Sequence, residues 1–316
     1  MQPIFLKPVL QEKIWGGKKL QTEFNLTLPS DKVGESWSIS AHPNGQSTVI
    51  SPAEFQGMTL AELYEKHAEL FHQQTLPTFP LLIKILDASD NLSVQVHPED
   101  DYARENENGE LGKTECWYVL DAKEGTKLVY GHTAKTKEEF NDKIDREQWQ
   151  ELFIEEEVKA GDFFYIPAGT LHAIGEGILI YEVQQNSDTT YRVYDYDRVD
   201  KDGNKRELHI EKTKDVTKVP FEKVTTSPRE EKLEGATVTY LADEKYFSVF
   251  KVEVEGRVSL EKTRTGNLFT VLNGSGSVEI DGSSYDVKKG DSFILTTECR
   301  TYTLKGKMFL IGSYDR

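Results

Sequence analysis

A mainly β protein made of two related antiparallel β-domains is what this 316-residue sequence predicts. Three observations predict it. Short strand-like runs recur between turn residues, most densely from residue 248 onward (FSVFKVEVEG, LFTVLNGSGSVEIDG, SYDVKKGDSFILTT, KMFLIGSYD), a spacing that suggests a sandwich or barrel. A weak internal repeat relates residues 158–166 (VKAGDFFYI) to residues 287–295 (VKKGDSFIL), each ahead of a turn and a further strand. Helical signals are few and short.

The elements follow in chain order. Residues 1–50 read as strands and loops, punctuated at Gly16-Gly17, Pro29-Ser30 and Pro43-Asn44-Gly45. Thr59 and Glu62 have the spacing of a capping box and open one short helix, LAELYEKHAELF, with Leu60, Leu63, Ala68 and Phe71 on one face. Two strands are expected around the turn at residues 88–91, and KTECWYVLDA is another. One or two helices follow at residues 133–153, with further capping-box spacings at Thr136/Glu139 and Asp145/Gln148. In GDFFYIPAGTLH, Phe163, Tyr165 and Pro167 point to one side of a strand and Phe164 and Ile166 to the other; a tight turn at Ala168-Gly169 then delivers His172 to the return strand. DKDGNKR at residues 200–206 reads as a polar hairpin turn.

Composition narrows the function. The net charge of −16 repels polyanions, so nucleic acid is excluded as a partner and a small anionic substrate must rely on a few focused Lys or Arg side chains. No run of apolar residues is long enough to span a membrane and the first residues lack the pattern of a secretory signal, so a bacterial-type cytoplasmic protein is expected. Cys116 and Cys299 stand far apart and make no disulfide framework; Cys116 reads as an inert buried thiol, one residue out of phase with the polar positions beside it.

Alternation then gathers the polar residues. On the strand SVQVH, Ser93, Gln95 and His97 share one face and two valines the other; in KTECW, Lys113, Glu115 and Trp117 share a face. Three polar groups on one face of a buried strand demand partners. If both faces line one cavity with His172, then Gln95, His97, Glu115 and His172 make an N/O ligand set for a divalent metal, and two imidazoles with a carboxylate suit zinc. Lys84, Lys113, Arg192 and the Ser93 hydroxyl are the candidates for holding substrate anions. Arg192, with Thr190 and Tyr194 expected on its face, either meets such an anion or pairs with Asp195, Asp197 or one of the many other carboxylates.

Gly161-x5-Pro167-x-Gly169-x2-His172 resembles the second metal motif of the cupin superfamily, and Gln95-x-His97 followed by Glu115 resembles the first as it occurs in type I mannose-6-phosphate isomerases. Further similarity runs through Trp15-Gly16-Gly17, Gly34-Glu35-Ser36-Trp37, Ala41-His42-Pro43, FPLLIK at residues 79–84, LSVQVHP at residues 92–98 and TYRVYDY at residues 190–196, covering at least residues 14–212. Longer family members insert a sizeable helical region between the Glu and second His ligands; the short stretch at residues 136–153 resembles the compact bacterial form.

The second copy of the repeat lacks the histidine that follows the first and no histidine lies beyond His209, so residues 1–234 are expected to carry the metal and residues 235–316 none; the resemblance implies that both are cupin-type jelly-roll domains. It implies a zinc-dependent interconversion of mannose 6-phosphate and fructose 6-phosphate with one Zn2+ per chain, Gln95, His97, Glu115 and His172 as ligands, and Arg192 as catalytic. Lys113, His42, His132 and His209 remain open as the proton-transferring base, with Lys113 carried as a catalytic candidate. A small phosphosugar is the expected partner, and a monomer or weak homo-oligomer the expected state. A cupin non-haem iron oxygenase and a non-catalytic sugar-phosphate binder are the alternative readings.

Overall fold

The computed structural model describes residues 2–71, 77–199, 202–262 and 266–316. Two antiparallel sheets face each other in its N-terminal part. The six-stranded sheet runs in the order Phe163–Ile166, Glu115–Ala122, Ile178–Gln185, Leu81–Asp87, Val33–Ile39, Val9–Gly17. The five-stranded sheet runs Phe153–Glu157, Lys127–His132, His172–Ala173, Val94–Val96, Tyr191–Tyr194. This is the mainly β, antiparallel architecture that the turn spacing predicts.

Alternation distributes the side chains among three cores. On the six-stranded sheet, Leu86, Trp117, Val119, Phe164, Ile166, Ile178 and Ile180 point inward and meet Leu128, Tyr130 and Ile174 from the opposite side. Their strand neighbours Ile83, Ile85, Cys116, Tyr165, Tyr181 and Val183 point outward into a core shared with the C-terminal part. Behind the five-stranded sheet, Val94, Val96 and Val193 pack with Phe140, Ile144 and Leu152 of the helical insertion. The two valines that flank Gln95 in sequence are thus buried on the face away from it. Cys116 takes the out-of-phase direction its position predicts, and burial pushes its thiol well above the ordinary range.

Helices form where the capping signals mark them, with two differences, and three further short helices that no such signal marks are Lys19–Phe24, Asp100–Asn106 and Ile210–Val216. Thr59 and Glu62 form the reciprocal capping box at the start of Leu60–Lys66, but the helix stops there and continues only as a 3-10 turn, Ala68–Leu70. Thr136 caps Lys137–Asp145 by accepting from the Glu139 N–H. The box expected at Asp145/Gln148 does not form: Asp145 ends that helix, and Trp149–Leu152 begins at Gln148 without a side-chain cap. The hairpin at residues 200–206 closes through a bridge between Val199 and Lys205, while Asp200 and Lys201 of the predicted turn lie outside the described residues.

The C-terminal strands form a nine-stranded sheet that takes in two strands from the start of the chain. Ile4–Lys7 pairs with Ser292–Leu295, and Thr48–Ser51 pairs with Ile4–Lys7. A buried hydroxyl chain also joins the two parts: Tyr181 donates to Thr270 (3.2 Å), which lies 2.9 Å from the Ser292 hydroxyl.

The internal repeat is the same turn made twice. Lys159 N–H and Lys288 N–H each donate to the aspartate three residues on, Asp162 and Asp291, at 2.9 Å. Gly161 and Gly290 have φ of +93° and +95°, a region open mainly to glycine. Gly161 N–H donates to Val119 O and Asp162 O accepts from Val119 N–H; Gly290 and Asp291 do the same with Val271. Strand pairing extends the match, since Phe164 lies opposite Trp117 and Phe293 opposite Phe269, while Ile166 lies opposite Glu115 and Leu295 opposite Asn267. The Trp117–His172 edge contact (5.3 Å) has its counterpart in Phe269–Tyr302 (5.6 Å). Where the first unit has Glu115 and His172, the second has Asn267 and Tyr302. No helix among the described residues is long and apolar enough to cross a membrane.

Candidate metal centre and substrate cavity

Each sheet contributes one rung of side chains to the space between them. On the five-stranded sheet Tyr130, His172, Gln95 and Arg192 lie on consecutive strands in direct register. On the six-stranded sheet Trp37, Lys84, Glu182 and Trp117 do the same. His97 follows directly after its strand, and Glu115 opens the neighbouring one.

His97, Glu115 and His172 converge, all buried, with one ligand-type atom from each lying within 4.8 Å of the others. Nε2 of His97 is 3.4 Å from Glu115 Oε2, and Nε2 of His172 is 3.2 Å from Oε1. The opposite ring nitrogens are engaged by backbone carbonyls, His97 Nδ1 with Thr189 O and His172 Nδ1 with Thr170 O, both at 2.8 Å. Donating there leaves the two Nε2 atoms as lone-pair acceptors, the arrangement that orients metal-binding imidazoles. Both Glu115 oxygens and His172 Nε2 are buried without a hydrogen-bonding partner among the described residues. Glu115 Oε1 and His172 Nε2 are two acceptors facing each other at 3.2 Å, an arrangement that calls for a cation between them. The donor set fits a divalent metal such as zinc.

Lys113 also enters the cluster, its Nζ 3.0 Å from His97 Nε2 and 3.1 Å from Glu115 Oε2. Burial alone would raise the Glu115 carboxyl, but the adjoining Lys113 ammonium above all outweighs it and holds it well below the ordinary carboxylate range. Burial and the Lys113 charge push His97 down to about 3, and burial lowers His172. The cluster is one carboxylate and two neutral imidazoles, the protonation state a metal requires.

Beside it is a cavity of about 140 Å³, lined among others by Ser93, Gln95, Lys84, Lys113 and Arg192. The structure therefore brings the four candidate metal ligands together with Ser93, Lys84, Lys113 and Arg192, while three of the candidate bases lie apart. The four open candidates for the base separate here. Lys113 lies on the cavity wall, whereas His132 packs on Phe140 and faces Lys218 O. His42 packs edge-on to Trp37 with Glu110 at 3.7 Å, and His209 binds the backbone of Arg192.

The sequence reading missed several wall residues. Glu182 lies between Lys84 (3.3 Å) and Trp117, whose indole N–H donates to it at 2.8 Å. Burial and then the Glu115 charge raise its carboxyl, with Lys84 opposing. Its signal was present: one acid in the apolar run ILIYEVQQ must have a buried partner. Glu35 is 3.9 Å from Lys84, and Asp188 and Arg206 also line the cavity. Glu35 and Glu182 hold the Lys84 ammonium above its ordinary value although burial opposes them. Glu35 keeps Lys13 at 3.3 Å, but Lys84→Met should leave the buried Glu182 without its counter-charge, costing about 3–5 kcal/mol in chemical denaturation; an unchanged midpoint would show that Glu182 needs none.

Arg192 reaches the cavity as expected, but Tyr194 does not share its face. A register shift between Arg192 and Tyr194 turns Tyr194 outward onto Trp149 (5.2 Å, stacked). The proposed carboxylate partners are occupied elsewhere: Asp195 is bound by Arg198 and by Arg206, and Asp197 by Lys205. Among the described residues the Arg192 guanidinium has no hydrogen bond or ion pair. Burial and nearby Arg206 lower its pKa, a position that favours an incoming anion.

Comparison with known proteins settles the family. Residues 4–120 match the model of the type I phosphomannose isomerase catalytic domain, and residues 236–315 that of the mannose-6-phosphate isomerase cupin domain. A mannose-6-phosphate isomerase of Streptococcus mutans is 47% identical over 99% of this chain and 98% of its own, and one of Bacillus subtilis 48% identical over 99% of each. The chain belongs to the type I phosphomannose isomerase family. A crystal structure of the mannose 6-phosphate isomerase from Bacillus subtilis superposes on this phosphomannose isomerase fold with a TM-score of 0.97, at 44% identity over 99% of this chain and 100% of that one. A mannose 6-phosphate isomerase solved with zinc bound shares the phosphomannose isomerase fold over 100% of both chains at 16% identity, with a TM-score of 0.81.

Proposed function

We propose that this chain is a zinc-dependent mannose-6-phosphate isomerase. One observation carries the reading: a buried cluster of His97, Glu115 and His172 lies, with Lys113 between them, beside a cavity whose wall also holds the Arg192 guanidinium, free of ion pairs among the described residues. The reaction removes the proton from C2 of the open-chain aldose, delivers one to C1, and moves a hydroxyl proton from O2 to O1, through an enediol. A zinc ion, one per chain, held by His97, Glu115 and His172 with Gln95 beside them, supplies Lewis-acid stabilisation of the oxygens.

The chain's own residues do the rest. Lys113, at the junction of cluster and cavity, holds and moves a proton at Nζ. Arg192, with Arg206 and the Ser93 hydroxyl on the same wall, receives anionic charge; Arg206 is itself held by Asp195 through two short bonds, 2.8 and 2.6 Å. Lys84 is engaged by Glu182 and Glu35, so it serves the sugar hydroxyls rather than the phosphate. We assign this chemistry to residues 1–234, and to residues 235–316 a metal-free supporting role in keeping with Asn267 and Tyr302 at the repeated positions. A cytoplasmic monomer or weak homo-oligomer is the corresponding state.

The test is a coupled assay for fructose 6-phosphate formed from mannose 6-phosphate, before chelation, after it, and after zinc is restored. Turnover lost and regained with zinc is expected. Binding without turnover would favour a sugar-phosphate-binding protein, and oxygen consumption with iron a cupin oxygenase.

A further inference from the structure

Arg192 lies on an edge strand. Tyr191–Tyr194 is the last strand of the five-stranded sheet, and its one strand neighbour is Val94–Val96, where Arg192 sits opposite Gln95. An edge strand leaves its outward N–H and carbonyl groups to whatever else can reach them. Just past Arg192 the register also shifts before Tyr194 meets Val94. Ladder support is therefore weakest where the cavity guanidinium is attached.

His209 makes both bonds a further strand would have made. Its backbone N–H donates to the Arg192 carbonyl at 2.7 Å, and its Nδ1 accepts the Arg192 N–H at 3.2 Å. The second bond exists only while Nδ1 is unprotonated. His209 is in turn well anchored. Its ring packs on Tyr191 (5.9 Å), whose hydroxyl donates to Glu107 at 2.6 Å, and helix Ile210–Val216 begins at the next residue.

We infer that His209 is a positioning residue for Arg192: its neutral imidazole fixes the Arg192 backbone, and so the angle at which the guanidinium meets the substrate anion. This rests on the reading of Arg192 as a substrate-binding cation. The groups facing His209 are Arg192, Glu207 at 4.0 Å from Nε2, Lys212, Glu107 and the Tyr191 ring. Burial and then the Arg192 charge lower its pKa, so the acceptor form prevails at neutral pH. As pH falls through that lowered pKa, Nδ1 becomes a donor facing a donor, and positive charge is added beside Arg192.

His209→Ala should lower kcat/KM on mannose 6-phosphate about 10- to 100-fold, mostly in kcat, with zinc content unchanged. His209→Asn, whose Oδ1 can stand where Nδ1 stood, should recover to within about threefold of wild type and should lose one ionisation from the acid limb of the pH profile. The inference is overturned if His209→Ala stays within about twofold while Arg192→Lys is crippled. It is equally overturned if Asn rescues nothing and both variants lose activity only in step with a lower melting temperature. Near-normal turnover in Arg192→Lys would remove the reading beneath it.

Discussion

His97→Ala or His172→Ala is expected to strip bound zinc and to lower turnover on the order of a thousandfold or more. Each imidazole presents Nε2 to Glu115 at 3.4 or 3.2 Å while its Nδ1 is tied to a backbone carbonyl at 2.8 Å, so neither ring can be replaced by a neighbour turning in. Alanine leaves Glu115 with Lys113 as its remaining close cation (3.1 Å), which neutralises the carboxylate but does not rebuild a three-atom donor set. The fold should survive, because the rungs on both sheets are held by strand pairing that these side chains do not make. Metal analysis by mass spectrometry, rate and far-UV circular dichroism on the same samples decide it. Full activity in a metal-free double variant would end the metal reading.

Much of this centre was legible in sequence because strand alternation is a local rule. Ser93, Gln95 and His97 needed only period two to share a face, and the valines between them went to the opposite core. The repeat at residues 158–166 and 287–295 was legible because a left-handed glycine followed by an aspartate that accepts a backbone N–H fixes one turn. What failed was non-local. Glu182 acquires its meaning from Lys84 on the paired strand and Trp117 on the other side, neither near it in sequence. The entry of Ile4–Lys7 into the C-terminal sheet is likewise a pairing that no local pattern specifies. Tyr194 was misplaced for a third reason, since alternation holds only while the ladder is regular, and a register shift interrupts it after Arg192. The Asp145/Gln148 spacing failed because Asp145 was already the last residue of the preceding helix.

Arg192→Lys, conservative in charge, should lower the turnover rate by about two to three orders of magnitude. The structural alternative for Arg192 is an ion pair with Asp195, Asp197 or another carboxylate; Asp195 and Asp197 are engaged by other cations, and Asp188 and Glu207 act on the guanidinium from beyond ion-pair distance. The guanidinium is left half-buried on the cavity wall without a described partner, near Arg206, whose charge adds to the cost of burial. Two cations on one wall of a protein with net charge −16 make sense where an anion arrives. Lysine would keep the charge and lose the planar fork, so a two-point contact becomes one, and the loss falls hardest on the charge that develops in the transition state. Since no ion pair is broken in the free protein, melting temperature and zinc content should match wild type. Near-normal turnover together with a lower melting temperature would make Arg192 a structural residue and leave the substrate anion to Arg206 or Lys113 on the same wall.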